Sequence, residues 1–215
     1  MPALVRPTVE VRGSFLAAMA EHVAAGDVPG YVNPETPFAE LREHRDRWHT
    51  PEGFAGFVAW ALSLADAGTP MPPGLVPSLE LWWVDGVEYL GRVSIRTPLT
   101  DALREDGGNI GYDVRPTARG RGHATAMLAA ALPVAHGLGI DPALVTVAEG
   151  NAASLAVVRR NGGEVFERSG STLKFWVPTG PTGPVPADRL SSEQGHAPRG
   201  EERSGDGQGD GEHQS

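Results

Sequence analysis

The residues with the most chemical potential form one run, Gly111-Tyr112-Asp113-Val114-Arg115-Pro116-Thr117-Ala118-Arg119-Gly120-Arg121-Gly122-His123-Ala124-Thr125. It lies where a strand-like pattern gives way to a helical one. Small residues at 120, 122 and 124 let a ligand approach the main chain, and the first turn of a helix presents unpaired N–H groups with a partial positive charge. Arg119 and Arg121 add charge, so a phosphate or pyrophosphate is the natural guest. A tight turn with solvated arginines would account for the same residues. Two other nucleotide motifs fit poorly: the dinucleotide fingerprint wants Gly or Ala where Thr125 stands, and the Gly-Lys-Ser/Thr of a phosphate loop is absent.

The run needs a strand and a helix to hold it, and the flanking pattern supplies both. Residues 109–114 read as a strand, 122–136 as a helix and 144–147 as a second strand, a βαβ unit whose crossover is right-handed and whose strands are parallel. Pro133 falls inside that helix and predicts a kink. Upstream, 79–84 and 89–95 flank Asp85-Gly86 as an antiparallel hairpin. Downstream comes a helix over 151–160, with Asn151 as N-cap and Gly162 at its C-terminal turn. Strands follow around Val165-Phe166 and over 173–177. At the N-terminus, a short strand precedes a helix capped by Ser14 that carries Phe15, Leu16, Met19 and Val23 and ends at Gly26. Phe38 and Leu41 suggest a short helix. Thr50-Pro51-Glu52 starts another, bearing Phe54, Phe57, Val58, Ala61 and Leu62, before the proline-rich run 70–77. The order is α+β.

Composition sets limits on function. The 215 residues suit one domain with length to spare. Residues 178–215 hold eight Gly, five Pro and no aromatic residue, too little apolar surface to offset the entropy of ordering, so 1–177 is expected to be the domain and 178–215 a disordered acidic tail. A net charge of -9 argues against nucleic acid as a partner. The lack of Cys removes disulfides and thiolate chemistry. His44 and His49 are off one helical face and no His-Glu-x-x-His occurs, so no metal is expected. Neither a signal peptide nor an apolar span long enough for a membrane is present, and a cytoplasmic protein is the default.

Arg119-Gly120-Arg121-Gly122-His123-Ala124 matches every fixed position of Gln/Arg-x-x-Gly-x-Gly/Ala, the pyrophosphate loop of the GNAT N-acetyltransferases. The run Asn151-Ala152-Ala153-Ser154-Leu155-Ala156-Val157-Val158-Arg159-Arg160-Asn161-Gly162-Gly163 resembles that family's second motif at the expected distance. With the hairpin, the resemblance covers residues 79–177, and the first 78 match only in outline. Gly107-Gly108-Asn109-Ile110-Gly111-Tyr112 and Lys174-Phe175-Trp176-Val177 point to a little-characterised bacterial subgroup of acetyltransferases.

The resemblance implies a GNAT fold: a mixed sheet with antiparallel hairpins, one parallel crossing, and two strands splayed to admit acetyl-CoA. It implies that Tyr112, Asp113 and Val114 line the pantetheine arm and thioester. It further implies that Arg119, Gly120, Arg121, Gly122, His123, Ala124 and Thr125 bind the pyrophosphate and that Asn151 contacts the CoA arm. Asn151 would equally serve as a plain helix cap.

The implied reaction is acetyl transfer to a primary amine on a small molecule or peptide. A lysine-like amine is deprotonated at neutral pH at a cost of about 4.6 kcal/mol, so a base or a desolvating pocket is required. Asp113, Glu80, Glu88, Glu149 and Tyr112 are candidate bases, with Asp113 favoured because it adjoins the implied thioester site. Where many relatives carry a tyrosine to protonate the leaving thiolate, this chain has Val158. Ser154 is the alternative acid by resemblance to ribosomal-protein N-terminal acetyltransferases, and it could instead bond its own helix backbone. A non-catalytic acetyl-CoA-binding module is the second reading, and a homodimer is left open.

Overall fold

The structure is a computed structural model and describes residues 1–27, 31, 33, 39–66, 68–71 and 75–180. The chain divides into a unit spanning Met1–Thr182 and a second, Gly183–Ser215, which lies outside the described residues. Strand β1 (Ala3–Val5) precedes helix α1 (Arg12–Ala24). Helices α2 (Ala39–Arg47) and α3 (Pro51–Ser63) lead to the hairpin β2 (Ser78–Asp85) and β3 (Glu88–Arg96). Next come α4 (Asp101–Glu105), β4 (Ile110–Val114), α5 (His123–Gly137), β5 (Ala143–Ala148) and α6 (Ala152–Arg160), and the unit closes on β6 (Glu164–Ser169) and β7 (Thr172–Val177). Among the described residues no helix is long and apolar enough to cross a membrane.

The strands form two ladders, β1-β2-β3-β4 and β5-β7-β6, and every paired neighbour is antiparallel. Alternation along β2 and β3 divides the apolar side chains between two cores. Leu81, Trp83, Val93 and Ile95 join Met127, Leu128 and Ala131 of α5 and Phe175 of β7. Trp82, Val84 and Tyr89 face α1 and α3 on the other side, around a fully buried Phe15 whose ring centre lies 5.1–5.4 Å from those of Trp48, Phe54, Phe57, Trp82 and Tyr89. Burial of that many rings makes the N-terminal helices an integral layer of the domain.

The two ladders meet at one point. Asn109 N–H donates to the Leu144 carbonyl at 2.8 Å, and the Asn109 side-chain oxygen accepts from Leu144 N–H at 2.9 Å, in place of a backbone carbonyl. Its amide nitrogen donates to the Arg96 carbonyl at 3.1 Å, so one buried side chain ties β3, β4 and β5 together. Gly108 is required beside it: its φ is +60°, and a Cβ there would lie 2.4 Å from the Leu144 oxygen. Beyond this apex the strands have no ladder between them. Removing the clip in Asn109→Ala leaves a buried N–H and a carbonyl unpaired, and we expect a loss of about 2–3 kcal/mol in urea denaturation, with intact α-helical circular dichroism.

Several local expectations change. Ser14 is not the cap of α1, which begins two residues earlier after a 3-10 turn at Val9–Val11; the Ser14 hydroxyl instead accepts from Tyr89 N–H and from Arg115. The polar stretch after β3 contains α4, capped by Thr100. The hairpin turn is Gly86-Val87, since Asp85 already pairs with Glu88. Helix α5 continues through Pro133 to Gly137, with only the Ala129 carbonyl deprived of its helical donor. Phe38 and residues 72–74 of the proline-rich run lie outside the described residues, whereas Leu41 is buried on α2.

Thr179 also belongs with the domain. It is 4% exposed, and its hydroxyl donates to the Ile140 carbonyl at 2.5 Å while its N–H reaches the Asp141 carboxylate. Truncation after Val177 is therefore expected to cost about 1–3 kcal/mol relative to truncation after Gly180, read as a lower urea midpoint.

Candidate active site

Past the Asn109 apex, β4 and β5 diverge around a cleft of about 240 Å³. Its narrow end is lined by Arg96, Asp106, Gly107, Gly111 and Thr146, and its wide end by Tyr112, Val147, Ala148, Asn151 and Ser154. Strand β4 is the last strand of its ladder, so the edge it turns to the cleft keeps N–H and C=O groups that no strand takes up. Such an edge pairs readily with an extended ligand that carries amides. Asn151 caps α6 by accepting from Ser154 N–H at 3.0 Å, which leaves its own amide N–H groups for the cleft. Among the described residues the Ser154 hydroxyl makes no bond to its own helix backbone, and its side chain interacts with the Tyr112 phenol. Tyr112 directs its hydroxyl to the Ser154 carbonyl at 3.5 Å. Burial raises the Tyr112 pKa and keeps that phenol protonated.

The glycine loop follows β4 directly. A 3-10 turn at Pro116–Ala118 reverses the chain, Gly120 and Gly122 take φ of +73° and +84°, and α5 starts at His123 with Gly122 as its cap. No side chain caps that end, so its N–H groups stay open to an anion. His123 Nδ1 accepts from Trp83 Nε1–H at 3.3 Å; because an indole N–H can only donate, the ring proton of neutral His123 sits on Nε2, which remains a donor. Asn161, at the far end of α6, donates to the Thr125 carbonyl at 3.3 Å and fixes the first turn of α5 against the second motif.

The loop arginines are not simply solvated. Arg115 makes a two-pronged ion pair with Glu21 at 2.6 and 2.9 Å, and the other Glu21 oxygen accepts from Thr117 N–H and hydroxyl. Arg119 donates to the Val114 carbonyl and pairs with Asp27, while Arg121 is exposed and has no carboxylate partner among the described residues. The Arg115 hydrogen bonds, opposed by burial and reinforced by Thr117, hold the Glu21 carboxyl down at about 2 from an ordinary 4.5. A depressed acid stabilises the fold above its unfolded pKa. We expect the stability difference between wild type and Glu21→Gln to be complete above about pH 4.5 and to vanish as pH falls toward 2, measured by urea denaturation across that range.

A strand edge open to a cleft, running into an uncapped glycine loop at a helix start, is an arrangement that comparison with known proteins can place. The family model described as the acetyltransferase (GNAT) domain matches residues 16–164. This chain belongs to the GNAT acetyltransferases. No curated protein matches it by sequence. Among solved structures, Mycobacterium smegmatis RimJ in complex with a CoA disulfide matches at TM-score 0.55 and 18% identity, over 89% of this chain and 88% of that one. RimL, a ribosomal L7/L12 alpha-N-protein acetyltransferase in complex with coenzyme A, matches at 0.52 and 16%, over 80% and 90%. The microcin C7 self-immunity acetyltransferase MccE in complex with acetyl-CoA and AMP matches at 0.52 and 12%, over 81% and 90%. These likenesses are to the GNAT fold, and the split of the sheet between β4 and β5 agrees with it.

Within this GNAT domain the residues singled out from the sequence separate into three places. Tyr112, Asn151 and Ser154 line the cleft. Arg119, Gly120, Arg121, Gly122, His123, Ala124 and Thr125 form the loop and the first turn of α5. Val114 is buried in the α5 core, and Asp113 turns to the opposite face, where its carboxylate accepts from Arg92 Nε–H at 2.7 Å. A carboxylate held by a guanidinium and away from the cleft is badly placed as a general base.

Around Asp113 lies a group whose connections cross three strands. Arg92 also donates to Glu80 at 3.1 Å, Tyr31 hydroxyl donates to the same Glu80 oxygen at 2.9 Å, and the Arg92 guanidinium sits 4.0 Å over the Tyr31 ring. Burial opposes the Arg92 charge, but Asp113 and then Glu80 outweigh it and raise its pKa. Burial, then the Glu80 charge, pushes the Tyr31 phenol up, so it stays a donor. Glu80 was legible as a candidate and Asn109 lay within a quoted run; Arg92, Tyr31 and Arg96 carry no local signal, since only tertiary contacts show their roles.

Proposed function

We propose that this GNAT domain transfers the acetyl group of acetyl-CoA to a primary amine on a small molecule or peptide. The observation that carries the reading is the continuity of three parts: the uncapped loop at α5, the unpaired edge of β4, and a cleft that narrows to a polar end. The residues present fit the cofactor. Arg119 to Val114 geometry sets the loop, residues 119–125 offer main-chain donors and the His123 Nε2–H to a pyrophosphate, and the β4 edge with Asn151 offers partners to a pantetheine amide. Acetyl-CoA supplies an activated acyl group. That CoA or acetyl-CoA accompanies the similarly folded RimL and MccE supports the same cofactor here.

In the proposed chemistry a neutral amine forms the new C–N bond, the C–S bond breaks, and the amine's surplus proton passes to water. The Ser154 hydroxyl, beside the Tyr112 phenol in the cleft, is placed to protonate the departing thiolate and regains its proton from water. Asp113 holds Arg92 in place and takes no proton. The likeness to an alpha-N-protein acetyltransferase favours an amine acceptor, and the domain is read as cytoplasmic, without nucleic-acid or membrane partners.

An amine panel followed by release of CoA thiol tests this directly. Turnover of at least one amine class is expected. Tight acetyl-CoA binding with no acetylated amine would leave only the non-catalytic module. In the same assay Ser154→Ala should lower kcat by about 10–100-fold with acetyl-CoA affinity within a factor of three, the scale of a lost general acid. Unchanged kcat where chemistry limits the rate would remove Ser154 from the mechanism.

A further inference from the structure

We propose that Arg96 receives a carboxylate carried by the acceptor, so that the amine substrates of this enzyme are amino acids or amines of acidic peptides. The inference rests on the N-acetyltransferase reading and names the substrate class of the same cleft. Arg96 ends β3 and lines the narrow end of the cleft, opposite the end where Asn151 and Ser154 stand. Among the described residues lining the cleft it is the one cation.

Its bonding is incomplete in a particular way. One guanidinium nitrogen donates to the Gly107 carbonyl at 3.0 Å and weakly to that of Gly108 at 3.4 Å. The other terminal nitrogen and Nε have no partner among the described residues. Arg92, four positions away on β3, shows how this fold neutralises such a charge elsewhere, with two carboxylates. Among the described residues Arg96 has none within ion-pair distance, and burial, helped by the Arg92 charge and opposed by those of Glu80 and Asp106, lowers its pKa. A part-buried guanidinium without a counter-ion is costly, and a planar, bidentate anion such as a carboxylate offsets that cost best.

Two neighbours sharpen the inference. Gly111 lies under the free nitrogen, and a Cβ at that position would stand 2.6 Å from it, so only glycine leaves the guanidinium over the β4 edge. Asp106 lines the same end, its carboxylate 3.5 Å from the Thr146 hydroxyl and not paired with Arg96. With the reacting amine beside Ser154, Arg96 is placed to take a carboxylate carried elsewhere on the same acceptor. An acceptor without that carboxylate would leave the guanidinium unanswered, and a dianion would meet Asp106.

The test uses the full chain with acetyl-CoA and acceptors matched in pairs: β-alanine against propylamine, and a glutamate-first pentapeptide against its glutamine-first counterpart. We expect the carboxylate-bearing member of at least one pair to have a kcat/KM about 10–100-fold higher, the range of a charged hydrogen-bond pair. The pair that shows it tells a free amino acid from a peptide. Arg96→Gln should bring the ratio near one through KM, and Arg96→Lys should retain part of it. Because Arg96→Gln also loosens Gly107, acetyl-CoA affinity and the urea midpoint are measured alongside; if it does not fold, the wild-type ratios and Arg96→Lys still decide. Amines used without regard to carboxylate, or equal losses on both members of a pair in Arg96→Gln, overturn the role of Arg96 alone. No amine used despite acetyl-CoA binding overturns the transferase reading and this inference with it.

Discussion

Gly122→Glu is expected to weaken acetyl-CoA binding by at least about 100-fold, close to 3 kcal/mol, while the domain stays folded. Gly122 caps α5 with φ +84° and ψ 0°, a conformation that costs an L-residue about 1–2 kcal/mol. A Cβ there meets nothing within 4 Å, so the side chain itself fits without collision. What Glu adds beyond the backbone strain is a negative charge at the helix start, where an incoming pyrophosphate would seek the same N–H groups. Gly122→Ala separates the two effects: it carries the strain without the charge and should lose far less affinity. Calorimetric titration with acetyl-CoA reads both. Equal affinity in wild type and Gly122→Glu would mean that the pyrophosphate lies elsewhere and that the loop assignment is wrong.

The parts of this enzyme legible from sequence are those encoded locally. A glycine loop, its helix start and an Asn-capped helix depend on residues a few positions apart, so residues 119–125 and Asn151 could be placed before any tertiary contact was known. The hairpin was equally local, because Gly86 and the alternation of β2 and β3 lie within one stretch. Reading failed where a long-range partner overrides a local preference. Ser14 has the composition of a cap, yet its hydroxyl serves Tyr89 and Arg115, 75 and 101 residues away. Thr179 looked like part of a low-complexity tail until Ile140 and Asp141 supplied its partners.

Asp113 is the instructive case, because it was chosen for adjacency in sequence to a strand edge that the cleft does use. Alternation sends Tyr112 to the cleft face and its neighbour to the other, where Arg92 was waiting on β3. The polar end of the cleft was hidden for a related reason. Arg96, Asp106 and Thr146 come from three separate elements, and only the Asn109 clip between β4 and β5 brings them together. The glycine loop and the capped start of α6 are thus local properties of this chain, whereas the polar end of the cleft is built from register and long-range closure.

Arg92 ties β2 and β4 together across β3, and Arg92→Met is expected to destabilise the domain by about 3–5 kcal/mol. The Arg92, Glu80 and Asp113 side chains are only 13%, 5% and 13% exposed, so water cannot replace the lost guanidinium. Glu80 and Asp113 would then face each other across β3 as unpaired carboxylates, and Tyr31 would lose the cation over its ring. A triple variant, Arg92→Met with Glu80→Gln and Asp113→Asn, should recover much of the loss because no buried charge remains. Urea denaturation of wild type, Arg92→Met and the triple variant measures this. A deficit below about 1 kcal/mol for Arg92→Met, the level of an exposed pair, would mean that the cluster is solvated in solution and does not hold the strand register.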